Sequence, residues 1–458
     1  MGRFFGTSGI RGLIDKHLKP EFCVKIGLAA AKFFGEDSTI ILGYDHRPQS
    51  RTVVSAVISG LLAGGVDVFD AGIMPTPAVL YALKELGLDG AIVVTGSHTT
   101  PEITGILFFK RDTSELSKDE EDIFEEILIL ENFNRVSWNR VGRIEPIDVS
   151  EIYINSVLSL VDLNKVEGRK VVVDAGNGAS SGILRELLVE AGLRVQAIND
   201  YYDPTFSGRG AFPRVEVLKE LCQVTKAINA DLGIGVDGDG DRALFCDEKG
   251  MAYWGDISGA IFAGGVIRKG RKKVVVTVNT SHVVKWAVEK EGGEAIFSRI
   301  GPPAIADTMK KNNAYYGIEE SGKYIWADAI YYGDAALATL RMLEIMEEEG
   351  KSLSELVSEL PKYHLRKIAI PCPDDKKEEV LRKSAEEVKH ILSTKYEIAE
   401  VITIDGVKII LKDDSWILLR PSGTEPVFRI FAESKHPKKT DELINLGEKI
   451  VQKIIKTN

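Results

Sequence analysis

Three stretches of this chain pass through the same order of segments, and that order limits the folds open to it. Residues 39–43 read as a strand, YDHRPQS as a polar loop, 51–63 as a helix closing on Gly64-Gly65, and VDVFDAG as a second strand. KVVVDAGNGASSGILRELLVEAGLRVQAI follows the same course from Lys170, and KVVVTVNTSHVVKWAVEKEGGEAIFSRIG follows it from Lys273. Strand, helix and strand bury one another when the strands pair in parallel and the helix lies on the sheet. Three such units predict three α/β domains of related build. A further helix is predicted over 20–34, with Phe22, Ile26, Leu28, Ala29 and Phe33 on its apolar side.

The pattern lapses at the polar segment 142–150, at the turn 247–250 and at 361–364. This divides the chain into domains at 1–149, 150–250, 251–364 and 365–458, and a length of 458 residues suits about three or four domains. After residue 364 the character changes. Strands are expected at 366–370, 400–404, 406–411 and 415–419, with helices near 376–393 and 441–456, as in a small α+β domain. Hydrophobic content of 44% and charged content of 28% are ordinary for a soluble globular protein.

The formal net charge of -10 argues against a nucleic-acid or anionic-membrane binder, because both need a basic face. An anionic substrate would have to be met by local Arg and Lys. Cys23, Cys222, Cys246 and Cys372 lie far apart and form no CxxC pair, which argues against disulfides and a zinc site and fits a reducing cytoplasm. MGRFFGTSGIRG holds no apolar signal core, and no stretch nears the ~18 apolar residues of a membrane helix. A cytoplasmic protein without membrane attachment is expected. Only four glutamines stand amid many Lys, Glu and Ile, a compositional hint of a thermophilic source.

Four loops can carry chemistry. In DLGIGVDGDGDRALFC, Asp237, Asp239 and Asp241 alternate with Gly238 and Gly240, so the backbone can bend until three carboxylates converge. Like charges so close are compensated by a hard divalent ion with oxygen ligands. Arg242 follows at the edge of that charge, where it could hold a phosphate. An EF-hand does not fit: Arg242 stands where the calcium loop needs Gly, and DLGIGV reads as a strand rather than a helix. In AIVVTGSHTTPEITGILFF an apolar strand runs into a turn that exposes Ser97, with His98 beside it as a local hydrogen-bonding partner. GIEESGKY offers the carboxylate of Glu319 and the hydroxyl of Ser321 to a ligand rich in OH groups, such as a sugar. After the strand WILLR, RPSGTEP presents a guanidinium, two hydroxyls and the N–H groups around Gly423, a phosphate cradle, with Arg429 beyond.

Taken together and in this order, the four loops resemble those of the α-D-phosphohexomutase family, which includes phosphoglucomutases, phosphomannomutases and phosphoglucosamine mutases. The likeness runs from GTSGIRG to the C-terminus. It implies three α/β domains of common topology and a C-terminal α+β domain similar to the TATA-binding-protein fold, set around a central cleft, with a hinge between the third and the last. It implies that Ser97 is phosphorylated and that Asp237, Asp239 and Asp241 hold magnesium together with that phosphate, which Arg242 steadies. Glu319 and Ser321 match the loop that reads ring hydroxyls. Arg420, Ser422, Gly423 and Thr424 match the loop that holds the phosphate not in transfer, and Arg11 matches a cleft arginine near the serine. The implied reaction interconverts hexose 1-phosphate and hexose 6-phosphate, of glucose or mannose, through a hexose 1,6-bisphosphate that also serves as activator. A phosphoglucosamine mutase and a non-catalytic sugar-phosphate-binding paralogue are the alternatives.

Three departures from the family pattern stand out. Thr99-Thr100 replace the usual Asn-Pro after His98, Leu107 replaces a common lysine, and Lys323 replaces a histidine. The expectation for Lys323 is that a cleft crowded with cations lowers its pKa, so that it takes over the acid–base work of both missing groups.

Overall fold

A computed structural model describes residues 4–423 and 425–457. Strands β1 (Ile10–Leu13), β2 (Thr39–Tyr44), β3 (Asp67–Ile73), β4 (Gly90–Val94), β5 (Ile103–Lys110) and β6 (Ile144–Pro146) form the first sheet, in the order β1-β5-β4-β2-β3-β6. β7 (Lys170–Asp174), β8 (Arg194–Ile198), β9 (Leu232–Val236) and β10 (Ala243–Cys246) form the second, ordered β10-β9-β7-β8. β11 (Lys273–Thr277), β12 (Glu294–Ser298), β13 (Tyr316–Glu319) and β14 (Lys323–Trp326) form the third, ordered β12-β11-β13-β14.

One pattern underlies all three sheets. A central strand pairs in parallel with the next strand on one side and with a third strand on the other, and the third pairs antiparallel with a fourth. The sets are β2, β3, β4, β5, then β7, β8, β9, β10, then β11, β12, β13, β14. The crossover helices Pro48–Ala63, Ile183–Glu190 and His282–Lys290 follow the first strand of each set, as the repeated segment order predicts. Pro48–Ala63 begins three residues before the predicted start, with proline in its first turn, where the missing N–H costs nothing.

β15 (His364–Pro371), β16 (Ile398–Ile402), β17 (Val407–Leu411), β18 (Trp416–Pro421) and β19 (Val427–Ser434) make an antiparallel sheet ordered β15-β19-β18-β17-β16, covered by the helices Lys377–Lys395 and Pro437–Thr457. The predicted α+β character holds, but β19 was not among the expected strands. It lies between β15 and β18, and its sequence VFRIFAES follows directly on the polar RPSGTEP loop, which hides its start. β6 was also missed. Its three residues are all exposed on a sheet edge, so they carry no apolar alternation, and they fall inside the polar segment expected to separate two units.

A single apolar cluster runs through the first three units, from Ile41 and Val93 through Val173 and Ile234 to Val276 and Ile318. A separate core fills the far side of the first sheet, and another lies beneath the fourth. Val278 of the third unit joins Ile410, Trp416, Leu418 and Phe431 in an apolar contact that seats the fourth unit on the third. No helix among the described residues is long and apolar enough to cross a membrane.

Candidate active site

The loops that carry Ser97, the three aspartates and Ser321, expected as the serine, metal and sugar loops, occupy one topological position. Residues 95–102, 237–242 and 320–322 each connect the third, parallel strand of a unit to the antiparallel fourth. Each therefore leaves its sheet at the carboxyl end of a parallel strand, the end at which open α/β sheets place ligands. Backbone bonds brace the second and third of these loops: Thr76 N–H donates to Asp239 O at 2.9 Å, Ala243 N–H to Gly322 O at 3.0 Å, and Ala335 N–H to Gly240 O at 3.1 Å.

Ser97 sits at φ 48°, in the left-handed region that costs a non-glycine residue backbone strain. The price is met by a dense set of bonds. Asp45 accepts from Gly96 N–H at 2.8 Å and from Thr95 Oγ1 at 2.9 Å. Arg47, itself paired to Asp45 at 3.0 Å, donates to the carbonyls of Ser97 at 2.9 Å, Thr99 at 3.0 Å and Ile103 at 2.9 Å, and also to that of Thr100. Ser97 Oγ is thereby placed 3.1 Å from His98 Nδ1 and donates to Asp237 Oδ2 at 3.3 Å. Burial and the cations of Arg242, Arg11, Lys323 and Arg47 push His98 well below the ordinary histidine range, so its ring stays neutral. Asp45 and Arg47 lie in the loop read from sequence only as polar. No local pattern marks them, since Arg47 serves carbonyls 50 or more positions away.

Oxygens of Asp237, Asp239 and Asp241 lie within 4.8 Å of one another, all buried. Gly238 permits this arrangement, since a Cβ there would collide with the Ser97 carbonyl, and Gly240 turns the chain at φ 79°. Burial and the neighbouring carboxylates push Asp237 well above, and Asp239 above, the ordinary carboxylate range. Burial also raises Asp241, but Lys323 and Arg242 outweigh it and leave that carboxyl below its ordinary value. Asp239 Oδ1 and Asp241 Oδ1 are buried with no hydrogen-bond partner among the described residues. Converging oxygen donors of net negative charge, left unsatisfied by protein, fit a hard divalent cation such as magnesium.

Other unpartnered atoms point to a ligand. Arg242 Nε and Nη1, Arg11 Nε, Glu319 Oε2 and Ser321 Oγ are buried without hydrogen-bond partners among the described residues. Arg242 stands 3.9 Å from Asp237 and 3.7 Å from Asp241, and those carboxylates raise its pKa against the effect of burial, so it keeps its charge. Arg11, on β1, faces Gly105 of β5 across the first sheet. Lys323 Nζ lies 2.7 Å from Asp241 Oδ2 and 3.9 Å from the centre of the Tyr332 ring. The sequence placed this lysine among cations; its nearest charged partner is a carboxylate. Leu107 is fully buried in the apolar core and brings no polar group to the cleft.

The fourth loop is held by its own domain. Arg420 donates to Asp405 at 2.8 Å, and Lys377 Nζ donates to the carbonyls of Ser422 and Glu425, each at 2.6 Å. Gly423 is exposed, Arg429 pairs with Glu425, and Thr424 lies outside the described residues.

Sequence models of all four domains of one family match the chain. "Phosphoglucomutase/phosphomannomutase, alpha/beta/alpha domain I" covers residues 2–135, domain II 151–250, domain III 254–363, and the C-terminal domain 368–445. The chain belongs to the phosphoglucomutase/phosphomannomutase family. As a member of this phosphohexomutase family it is an isomerase of the mutase class. A phosphoglucomutase/phosphomannomutase of Thermococcus kodakarensis is 37% identical over 468 residues, covering all of both chains. A phosphoglucosamine/phosphogalactosamine mutase of Sulfurisphaera tokodaii is 38% identical over 461 residues, covering 99% of this chain and 100% of the relative. Among solved structures, a family protein from Burkholderia thailandensis superposes with a TM-score of 0.85 at 25% identity, covering 98% of this chain and 97% of its own.

Proposed function

We propose that the protein interconverts the 1- and 6-phosphates of a hexose, glucose or mannose, through a phosphoserine at Ser97 and a hexose 1,6-bisphosphate. The observation that carries this reading is the set of buried, unpartnered polar atoms on Arg11, Asp239, Asp241, Arg242, Glu319 and Ser321, in a cluster whose Asp237 also meets Ser97 Oγ. Donors suited to phosphate and acceptors suited to hydroxyls are both left open there, a combination that a sugar phosphate satisfies.

The free hydroxyl of the sugar phosphate attacks the phosphorus on Ser97. A new O–P bond forms, the bond to Ser97 Oγ breaks, and the hydroxyl proton ends on Ser97 Oγ. Magnesium held by Asp237, Asp239, Asp241 and the Ser97 phosphate would supply charge neutralisation in this step. Arg242 directs its open N–H groups at the phosphoryl oxygens. Lys323, beside Asp241, carries the proton, and neutral His98 orients Ser97 Oγ. Glu319 and Ser321 grip ring hydroxyls, while Arg420, Ser422, Gly423, Thr424 and Arg429 hold the phosphate not in transfer. The bisphosphate then turns around and returns its other phosphate to Ser97. Added hexose 1,6-bisphosphate restores any enzyme that has lost its phosphate. We place the domain limits near residues 149, 250 and 364.

A second reading, a hexosamine-phosphate mutase, is favoured by the 38% identity to the Sulfurisphaera tokodaii enzyme. Intact mass before and after incubation with glucose 1,6-bisphosphate, then turnover of a panel of hexose and hexosamine 1-phosphates, decides between them. One phosphate should be gained and Ser97→Ala should gain none. Lys323→Met should bind substrate and lose about 10²-fold or more in turnover; parental turnover removes its proton-carrying role. Binding of every sugar phosphate with turnover of none would instead identify a sensor.

A further inference from the structure

Between the serine loop and the sugar loop stands a pair of aromatic rings that the reaction above leaves unused. Phe212 lies in the connection from β8 to β9, and Trp254 immediately precedes the helix Gly255–Arg268; both are half-buried. Their ring centroids are 6.1 Å apart and meet edge to face at 77°. The Phe212 ring lies 5.0 Å from the ring of His98 and 5.8 Å from the guanidinium carbon of Arg242. Trp254 Nε1 donates to Glu320 Oε2 at 2.5 Å. Lys367, on β15 of the fourth domain, stands 5.2 Å over the Trp254 ring and 3.6 Å from the other oxygen of Glu320. The pair thus reaches from the groups around Ser97, through the sugar loop, to the edge of the fourth domain. Trp254 is backed by the apolar cluster around Leu218, Leu221 and Leu244, while the groups about Phe212 and the sugar loop are charged.

An apolar face offers nothing to phosphate or metal, but it suits the C–H face of a sugar ring, and ligand pockets combine such faces with a few placed polar groups. We propose that Phe212 and Trp254 form the surface on which the sugar ring rests while the bisphosphate reverses its direction. The inference rests on the mutase reading. The physical reason lies in directionality. Hydrogen bonds that Glu319 accepts and Ser321 exchanges with ring hydroxyls must break and be remade when the sugar turns, because each has a preferred geometry. Apolar contact is non-directional and holds the ring whichever phosphate points at Ser97. It keeps the intermediate in the cleft at the moment its polar contacts are fewest. Trp254, fixed through Nε1 to Glu320, also holds that face in register with the sugar loop.

The test uses the full-length protein with labelled phosphate on Ser97, turning over unlabelled glucose 1-phosphate, and counts label appearing as free bisphosphate per turnover. Phe212→Ala should raise this escape about tenfold, equivalent to about 1.4 kcal/mol of lost retention, and Phe212→Tyr should stay near the parent. Calorimetry should show glucose 6-phosphate weakened about tenfold by Phe212→Ala while inorganic phosphate binds as in the parent, the expected split between ring and phosphate contacts. Unchanged escape, equal damage by Ala and Tyr, or equal weakening of sugar phosphate and inorganic phosphate each overturns the proposal and leaves the mutase reading standing. Where the parent itself neither gains phosphate nor turns over, the mutase reading fails. The calorimetric comparison then decides alone whether this aromatic face binds sugar.

Discussion

Ser97 is held in a strained conformation by Asp45 and Arg47, and the turn that leads into β1 and Arg11 is likewise braced from a distance. Ser8 Oγ, in that turn, donates to both carboxylate oxygens of Glu115 at 2.9 Å, and Glu115 is fully buried. Burial pushes its carboxyl up to about 7, against the opposing pull of Lys323, Ser8 and Arg11. The folded-state value therefore lies above the unfolded value of 4.5. Its stabilisation is fully present below pH 4.5 and is lost as pH rises through about 7, where a buried carboxylate must ionise. Thermal melts between pH 4 and 8 should show Glu115→Gln, neutral throughout, losing less stability than the parent, by on the order of 3 kcal/mol across that window. Parallel profiles for the two proteins exclude Glu115 as the source. Asp45 and Arg47 show why such residues were unreadable: Arg47 acts through carbonyls 50 or more positions away, and no local pattern marks a donor for a distant backbone.

At the scale of elements, the loops that carry Ser97, the three aspartates and Ser321 are the same hairpin connection in three copies of one unit. That equivalence was hidden because the loops share no sequence; only strand pairing reveals it. The metal loop illustrates what such a connection needs beneath it. Arg209 pairs with Asp174 at 2.7 Å, both side chains buried, and donates at 2.5 Å to the carbonyl of Val236, the residue before Asp237. Arg209→Ala should cost about 3 kcal/mol, because it strands a buried carboxylate. It should also weaken magnesium binding measured by calorimetry, because Val236 O loses its tether. A variant that melts early but binds magnesium as tightly as the parent would show that Arg209 supports the fold and not the loop. Thr76 braces the same loop from the first domain, donating to Asp239 Oδ2 at 3.0 Å. Removing magnesium with a chelator should lower the melting temperature of the parent, as loss of any ligand bound only by the folded state does.

For the whole molecule, a set of polar contacts joins the apolar contact that seats the fourth domain on the third. Glu433 of β19 accepts from His282 N–H of the third domain at 2.7 Å and from Trp416 Nε1 at 2.8 Å. Lys408 stands 3.8 Å over the Trp416 ring; burial pushes its pKa down to about 7, although Glu433 and Asp256 pull it up. Ile300 N–H and Arg299 reach across to Asp405 and Ile404. Glu433→Ala leaves two buried donors unpaired, a cost of about 1–3 kcal/mol each. Limited proteolysis should then cut near residues 360–364 faster than in the parent, and urea unfolding should split into two transitions. One unchanged transition would show that apolar packing alone seats the domain.

The sequence by itself determined the local chemistry: which segments form strands and crossover helices, and that Gly-spacing lets three carboxylates converge. These follow from period, residue type and spacing within some twenty neighbours. The turn expected to expose Ser97 instead buries it, because the metal-ligand candidate Asp237 and the Arg47 side chain close over it. Tertiary structure alone decided that three hairpins would converge on one cleft and that Asp45, Arg47, Thr76 and Arg209 would hold them. It also gave Lys323 a carboxylate partner in Asp241 within that cluster of cations, and it stood Phe212 and Trp254 between the serine and the sugar loop. The physical reason is that convergence depends on how sheets pack against one another, through long-range contacts that leave no periodic trace in the chain.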